Sequence, residues 1–149
     1  MQIDAFLADS VDKVNGKLYV LGAGWNVIAA PRLPSRHSRI GIGMLIRVPY
    51  TETDSEHTLQ VSLEDADGHV LPLADAPGSP GERVSFLAAK FRVGRPPVLP
   101  PGAEQIMPMA MNIDGLVFQS YGQYRFVITV DGAQATTLSL SVAAPPKRS

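Results

Sequence analysis

A chain of 149 residues with 45% hydrophobic content suits one domain with a real core, built without staples. It has no cysteine, which excludes disulfides, thiolate zinc sites and cysteine nucleophiles and favours a reducing compartment. Thirteen basic residues against fourteen acidic leave a net charge of −1, so no field of one sign recommends nucleic acid or an anionic membrane as partner.

The opening Met1 to Asp9 carries acidic residues where a secretion signal needs basic and unbroken apolar ones, and no stretch approaches the roughly 20 apolar residues that span a bilayer. Cytoplasm is the expected location. A first strand is predicted over Ile3 to Ala8. Asn15-Gly16 turns the chain into Lys17 to Leu21. After Gly22-Ala23-Gly24, the run Trp25 to Ile28 reads as the same strand resuming past a bulge. Pro31 and Pro34 bracket a loop.

The longest strand signal runs from His37 to Val48. Ile40, Ile42, Met44, Ile46 and Val48 share one parity, with Arg39, Gly41, Gly43, Leu45 and Arg47 on the other. His57, Leu59, Val61 and Leu63 then alternate with polar residues, and Asp65-Ala66-Asp67-Gly68 closes a hairpin onto Val70 to Leu73. Ala74 to Glu82 reads as a loop without periodicity. Val84 to Val93 is a strand whose Phe86 and Phe91 have opposite parities, which suggests burial on both sides or a bulge.

The prolines from Pro96 to Pro101 cannot pair centrally in a sheet. Gln105 to Ile113 is a strand, followed by a turn at Asp114-Gly115. The clearest unit comes last. Tyr124, Phe126, Ile128 and Val130 alternate, Asp131-Gly132 turns, and Leu138, Leu140 and Val142 alternate again. No sustained 3.6-residue pattern predicts helix. The expected architecture is all-β: an antiparallel two-sheet β-sandwich, Ig-like or C2-like, of about nine strands over residues 1–143, with a flexible tail at 144–149.

Asp9, Asn15-Gly16-Lys17-Leu18, Gly22 ahead of Trp25, Gly122-x-Tyr124-x-Phe126 and Asp131-Gly132 follow one another in an order that resembles an uncharacterised family of bacterial cytoplasmic β-sandwich proteins, a domain of unknown function. The resemblance implies fold and length and no activity. Trp25, Gly122, Tyr124, Phe126, Asp131 and Gly132 are accordingly expected to be structural, the tyrosine hydroxyl tying a corner to nearby backbone as in Ig-like domains.

No catalytic constellation stands out. Gly22-x-Gly24 lacks the third glycine and the helix of a dinucleotide site. Glu64, Asp65 and Asp67 invite a calcium reading, with Glu52, Asp54 and Glu56 on a neighbouring loop, but Asp-Ala-Asp-Gly is also ordinary hairpin chemistry. His37, His57 and His69 lack zinc spacing, and His57 is expected as a satisfied rim residue. An enzyme would require His57, Glu56 and Asp54 to meet in a deep pocket. Met107, Met109 and Met111 share a parity and read as core filler continuing to Ile113.

Two glycines on the outer parity of a long strand weaken it, so Gly41 and Gly43 between Arg39 and Arg47 suggest that a partner backbone, or a ring such as Trp25, lies flat there. Arg95 precedes the proline segment and is added to this candidate surface. The functional expectation is a non-catalytic interaction module that binds a protein partner or itself, with no cofactor, metal or nucleic acid. The alternative is a domain for calcium, carbohydrate or a small ligand.

Overall fold

The computed structural model describes residues 1–76 and 78–147. Thirteen strands run through them in chain order: β1 (Gln2–Ala8), β2 (Ser10–Val14), β3 (Lys17–Leu21), β4 (Val27–Ala29), β5 (Ser35–Val48), β6 (Glu56–Asp65), β7 (Val70–Leu71), β8 (Ala74–Ala76), β9 (Ser79–Val84), β10 (Phe86–Arg92), β11 (Gln105–Phe118), β12 (Gly122–Val130) and β13 (Ala133–Ala143). One 3-10 turn at Tyr50–Glu52 is the only helical element among the described residues. No helix there is long and apolar enough to cross a membrane.

One sheet has the order β1-β5-β11. A second has the order β10-β6-β12-β13-β4, with β7 beside β6. Two ribbons, β2-β3 and β8-β9, complete the set. The predicted inward face of β5 is fully buried from Ile40 to Val48 at every second residue. It shares one apolar core with Leu59, Val61 and Leu63 of β6 and with Phe126 and Ile128 of β12. Each such side chain contributes about 1.5–3 kcal/mol on burial. The chain is therefore all-β, as the alternation demanded.

The hairpins stand where the turn chemistry put them. Asn15-Gly16 and Asp131-Gly132 are two-residue loops with positive φ at both positions (51° and 72°, 52° and 83°). Met107, Met109 and Met111 are half-buried against the core in line with Ile113. Pro108 is tolerated within β11 because that strand is an edge, paired only with β5.

Several expectations need correction. The architecture is not a wholly antiparallel pair of sheets, because β4 pairs parallel with β13, Val27 to Ala29 against Ser141 to Ala143. Trp25 to Ile28 is thus not the preceding strand resuming after a bulge: β3 pairs only with β2, and the chain crosses to another sheet. The strand count exceeds nine because pieces of two to six residues are too short to display an alternating pattern. The segment 74–82, read as loop, contains most of the β8-β9 hairpin; its Pro77 lies outside the described residues.

In β10, Phe91 faces the core and Phe86 is 53% exposed. Simple alternation therefore explains their opposite parities, without a bulge or two-sided burial. Asp114-Gly115 is not a turn either. It lies inside β11, where Gly115 adopts φ 71° and the buried parity passes from Ile113 to Leu116 and Phe118. A left-handed residue can kink a strand as readily as reverse it.

The last strand ends at Ala143, and residues 144–147 carry no regular structure.

Candidate functional site: the outer face of the three-stranded sheet

Antiparallel register decides which of the predicted surface residues meet. Phe6 of β1 stands opposite Gly43 of β5, which stands opposite Ala110 of β11. Ala8, Gly41 and Asn112 form the next outward row, and Asp4, Leu45 and Pro108 the row on the other side. Arg39, Gly41, Gly43 and Arg47 therefore do share one face.

The glycines on that face are not open. A Cβ on Gly43 would collide with the ring of Phe6, whose far edge sits over it. The covering ring is Phe6, not Trp25. Gly41 lies against the backbone of Ser10, 3.2 Å from where its Cβ would be. There β2 crosses the sheet, and the Asn112 amide holds it like a further strand. Asn112 Oδ1 accepts from Val11 N (3.0 Å), and Asn112 Nδ2 donates to Val11 O (2.8 Å). Both glycines are thus buried within the protein's own packing.

Gly43→Ala is expected to displace Phe6 and destabilise the fold by about 1 kcal/mol, the low end for overpacking. The cost should vanish in a Phe6→Ala background if the ring is its cause, which a double-mutant cycle in urea would read.

The half of the face beyond Phe6 is uncovered. Leu45, Pro108 and Ala110 are half-buried, and Ile106, opposite Arg47, is 62% exposed. The charges around it are matched. Arg47 Nη2 donates to Asp4 Oδ2 (2.6 Å), and Arg39 Nε donates to Asp114 Oδ1 (2.6 Å). The Arg39–Asp114 hydrogen bond raises the arginine's affinity for its proton and lowers that of the carboxylate.

Arg95 does not join this face. Its guanidinium stacks on Tyr50 (4.2 Å to the ring centroid), donates to Thr53 Oγ1 and Tyr50 O, and lies 3.8 Å from Asp54 Oδ2. Through Nε and Nη2 it braces the 3-10 turn. Lys90 of β10 lies 3.5 Å from Glu56, and Arg83 of β9 lies 3.2 Å from Asp75.

Trp25 and Tyr124 each donate to a nearby backbone carbonyl. Trp25 Nε1 donates to Gly22 O (2.8 Å), the same carbonyl that accepts from Asp9 N (3.1 Å). Gly22 leaves no room for a Cβ against the Asp9 carboxylate, which unites Asp9, Gly22 and Trp25 in one corner. Tyr124 Oη donates to Ser120 O (2.6 Å), and its ring meets Phe118 edge-on (5.0 Å).

The carboxylates do not form the cluster imagined for calcium. Glu56 and Asp65 begin and end β6, about 30 Å apart at ten residues of extended chain, so 52–56 and 64–67 are not neighbouring loops. Glu64 pairs with Arg125 at 2.7 Å. Asp65, Asp67 and His69 do lie within 4.8 Å of one another. Asp65 Oδ1 nonetheless accepts the amides of Asp67 and His69 (both 2.9 Å), which is hairpin chemistry and holds its carboxyl below the usual range.

Sequence reasoning missed one constellation. His57 is buried. Its Nδ1 is 2.6 Å from Asp131 Oδ2, and its Nε2 is 3.2 Å from Ser55 Oγ. The chain Ser55–His57–Asp131 has the order of a nucleophilic triad. Yet Nε2 is closer still, 2.7 Å, to the carbonyl oxygen of Glu52. A carbonyl and a carboxylate only accept, so both partners are satisfied at once when both ring nitrogens carry hydrogen. The Asp131 hydrogen bond, then the Glu52 carbonyl, raise the affinity of His57 for that second proton. In that doubly protonated form the ring has no lone pair with which to deprotonate Ser55. Asp131 also accepts from Thr58 N (2.9 Å), so the group clamps the β12-β13 turn to the start of β6.

These features define an all-β domain whose His57–Asp131 and Asp65 clusters are engaged in its own turns and whose three-stranded sheet carries an outer apolar patch around Ile106. By sequence the chain belongs to the Family of unknown function (DUF6941), whose profile spans residues 3–143. No functionally curated protein matches it. Among solved structures it is similar to Pseudomonas fluorescens alkylpurine DNA glycosylase AlkC bound to DNA containing an abasic site analog, at 12% identity and a TM-score of 0.40. The likeness covers 80% of this chain but only 28% of that one. At that level it carries no argument about activity.

Proposed function

We propose that the domain is a non-catalytic interaction module on an Ig-like or C2-like framework of the bacterial cytoplasm, docking a protein partner through the uncovered half of the β1-β5-β11 face. One observation carries this reading: Leu45, Pro108, Ala110 and the exposed Ile106 adjoin Phe6 on one sheet face whose flanking charges are already paired. Internal neutralisation favours an apolar, uncharged counterpart, since a strongly charged one would face no unpaired opposite charge there. The clamped state of His57 speaks against hydrolysis by the Ser55 chain, and the near-zero net charge against nucleic acid.

Ile106→Asp should leave the fold intact, because an exposed substitution changes stability by about 0.5 kcal/mol or less. It should abolish capture of the partner from native lysate. Val98→Asp, at a position 89% exposed in the proline segment, should not. A wild-type chain that runs as a strict monomer by light scattering and captures nothing would remove the support for this reading. A dimer that Ile106→Asp dissociates would identify the partner as a second copy.

A further inference from the structure

A cleft of about 390 Å³ opens where the ends of β6, β7, β11 and β12 come near β9, away from the docking face. That is within the ~300–1,000 Å³ of small-molecule sites and more than double the roughly 150 Å³ that accepts benzene. Leu71, Pro72 and Val117 form its apolar wall. Two of its polar residues are already committed. Tyr124 Oη is tied to Ser120 O, and Asp65 Oδ1 is capped by two backbone amides.

Arg83 and Gln119 supply the remaining donors. Arg83 is the sole cation of the lining. Only its Nη1 is engaged, at 3.2 Å from Asp75 Oδ1, which leaves other guanidinium hydrogens to donate. Gln119 and Ser120 are exposed at the β11–β12 connection. A planar guanidinium fork can take a carboxylate on two parallel hydrogen bonds, and the Asp65 carboxylate of the same lining has its second oxygen 3.3 Å from His69 Nδ1.

We propose that this cleft binds a small carboxylic acid with an apolar body, its carboxylate on Arg83 and Gln119 and its body against Leu71, Pro72 and Val117. The test is an amide NMR titration of the full chain with phenylacetate and with its neutral isostere phenylacetamide. Phenylacetate should shift the Leu71, Val117 and Ser120 signals saturably, and phenylacetamide should bind about three- to fivefold more weakly, the loss of one partly exposed ion pair. Arg83→Met should erase that preference while leaving the rest of the spectrum unchanged.

Equal binding of the two probes to the wild type would overturn the proposal without recourse to any variant. So would shifts that fail to saturate or that centre on Leu45 and Ile106. The last result would still be compatible with the docking face, so the two readings fail separately.

Discussion

Phe126→Ala is expected to lower stability by about 3–5 kcal/mol, the range for truncating a fully buried phenylalanine. Phe126 has no solvent exposure and stands in the middle of β12. Its neighbours in register are Leu63 on β6 and Leu138 on β13. The side chain faces the buried row of β5, so the cavity would open where the two large sheets meet. Neither sheet can close over it without shifting a ladder that β6 and β13 hold from both sides. In urea the midpoint should fall with the slope unchanged, the mark of lost stability rather than altered compactness. At roughly 2–4 °C per kcal/mol for a chain of this size, the melting temperature should drop by about 6–20 °C. Phe86→Ala, at a residue 53% exposed on β10, should cost no more than about 0.5 kcal/mol. Equal losses at both positions would contradict the assigned faces.

His57→Ala is expected to cost about 2–3 kcal/mol at pH 5.5, since hydrogen bonds to charged groups contribute about 1.5–3 kcal/mol and the Glu52 carbonyl loses its donor. The cost should shrink as pH rises. Bonding to Asp131, and secondarily to Glu52 O, raises the folded pKa of His57 above its ordinary value of 6.5. Its stabilisation is therefore complete below about pH 6.5 and is lost as pH climbs through the elevated folded value. The opposite limb belongs to Asp131. Its pKa is lowered, chiefly by His57 and then by the Thr58 amide, so its contribution is present above its ordinary 3.8 and disappears as pH falls through the depressed folded value. The wild-type minus His57→Ala difference in melting temperature should thus be widest between about pH 4 and 6.5. A difference that grows toward pH 9 would show that His57 is held neutral. It would also reopen Nε2 as a base for Ser55.

Much of this was legible in the chain. Period-two alternation placed the buried rows of β5, β6 and β12, because a residue's face in a strand depends only on its parity. Asn15-Gly16 and Asp131-Gly132 announced their hairpins, because few residues tolerate positive φ twice in succession. The glycine pair on β5 signalled a close approach, which the Phe6 ring and the Ser10 backbone supply. Four of the five residues proposed for a surface do share one face. Arg95 does not, since stacking on Tyr50 across 45 residues of chain leaves no local pattern.

By itself, then, the order of residues determined which stretches extend, which side of each is greasy, and where neighbouring strands reverse. Folding in three dimensions decided the rest. It set β4 parallel to β13, laid Phe6 over Gly43, carried β2 across Gly41 onto Asn112, and joined His57 to an aspartate 74 positions away. The division has one physical cause. Alternation and turn geometry are properties of a few adjacent residues, whereas pairing partners and covering side chains depend on how distant segments compete to bury the same apolar surface.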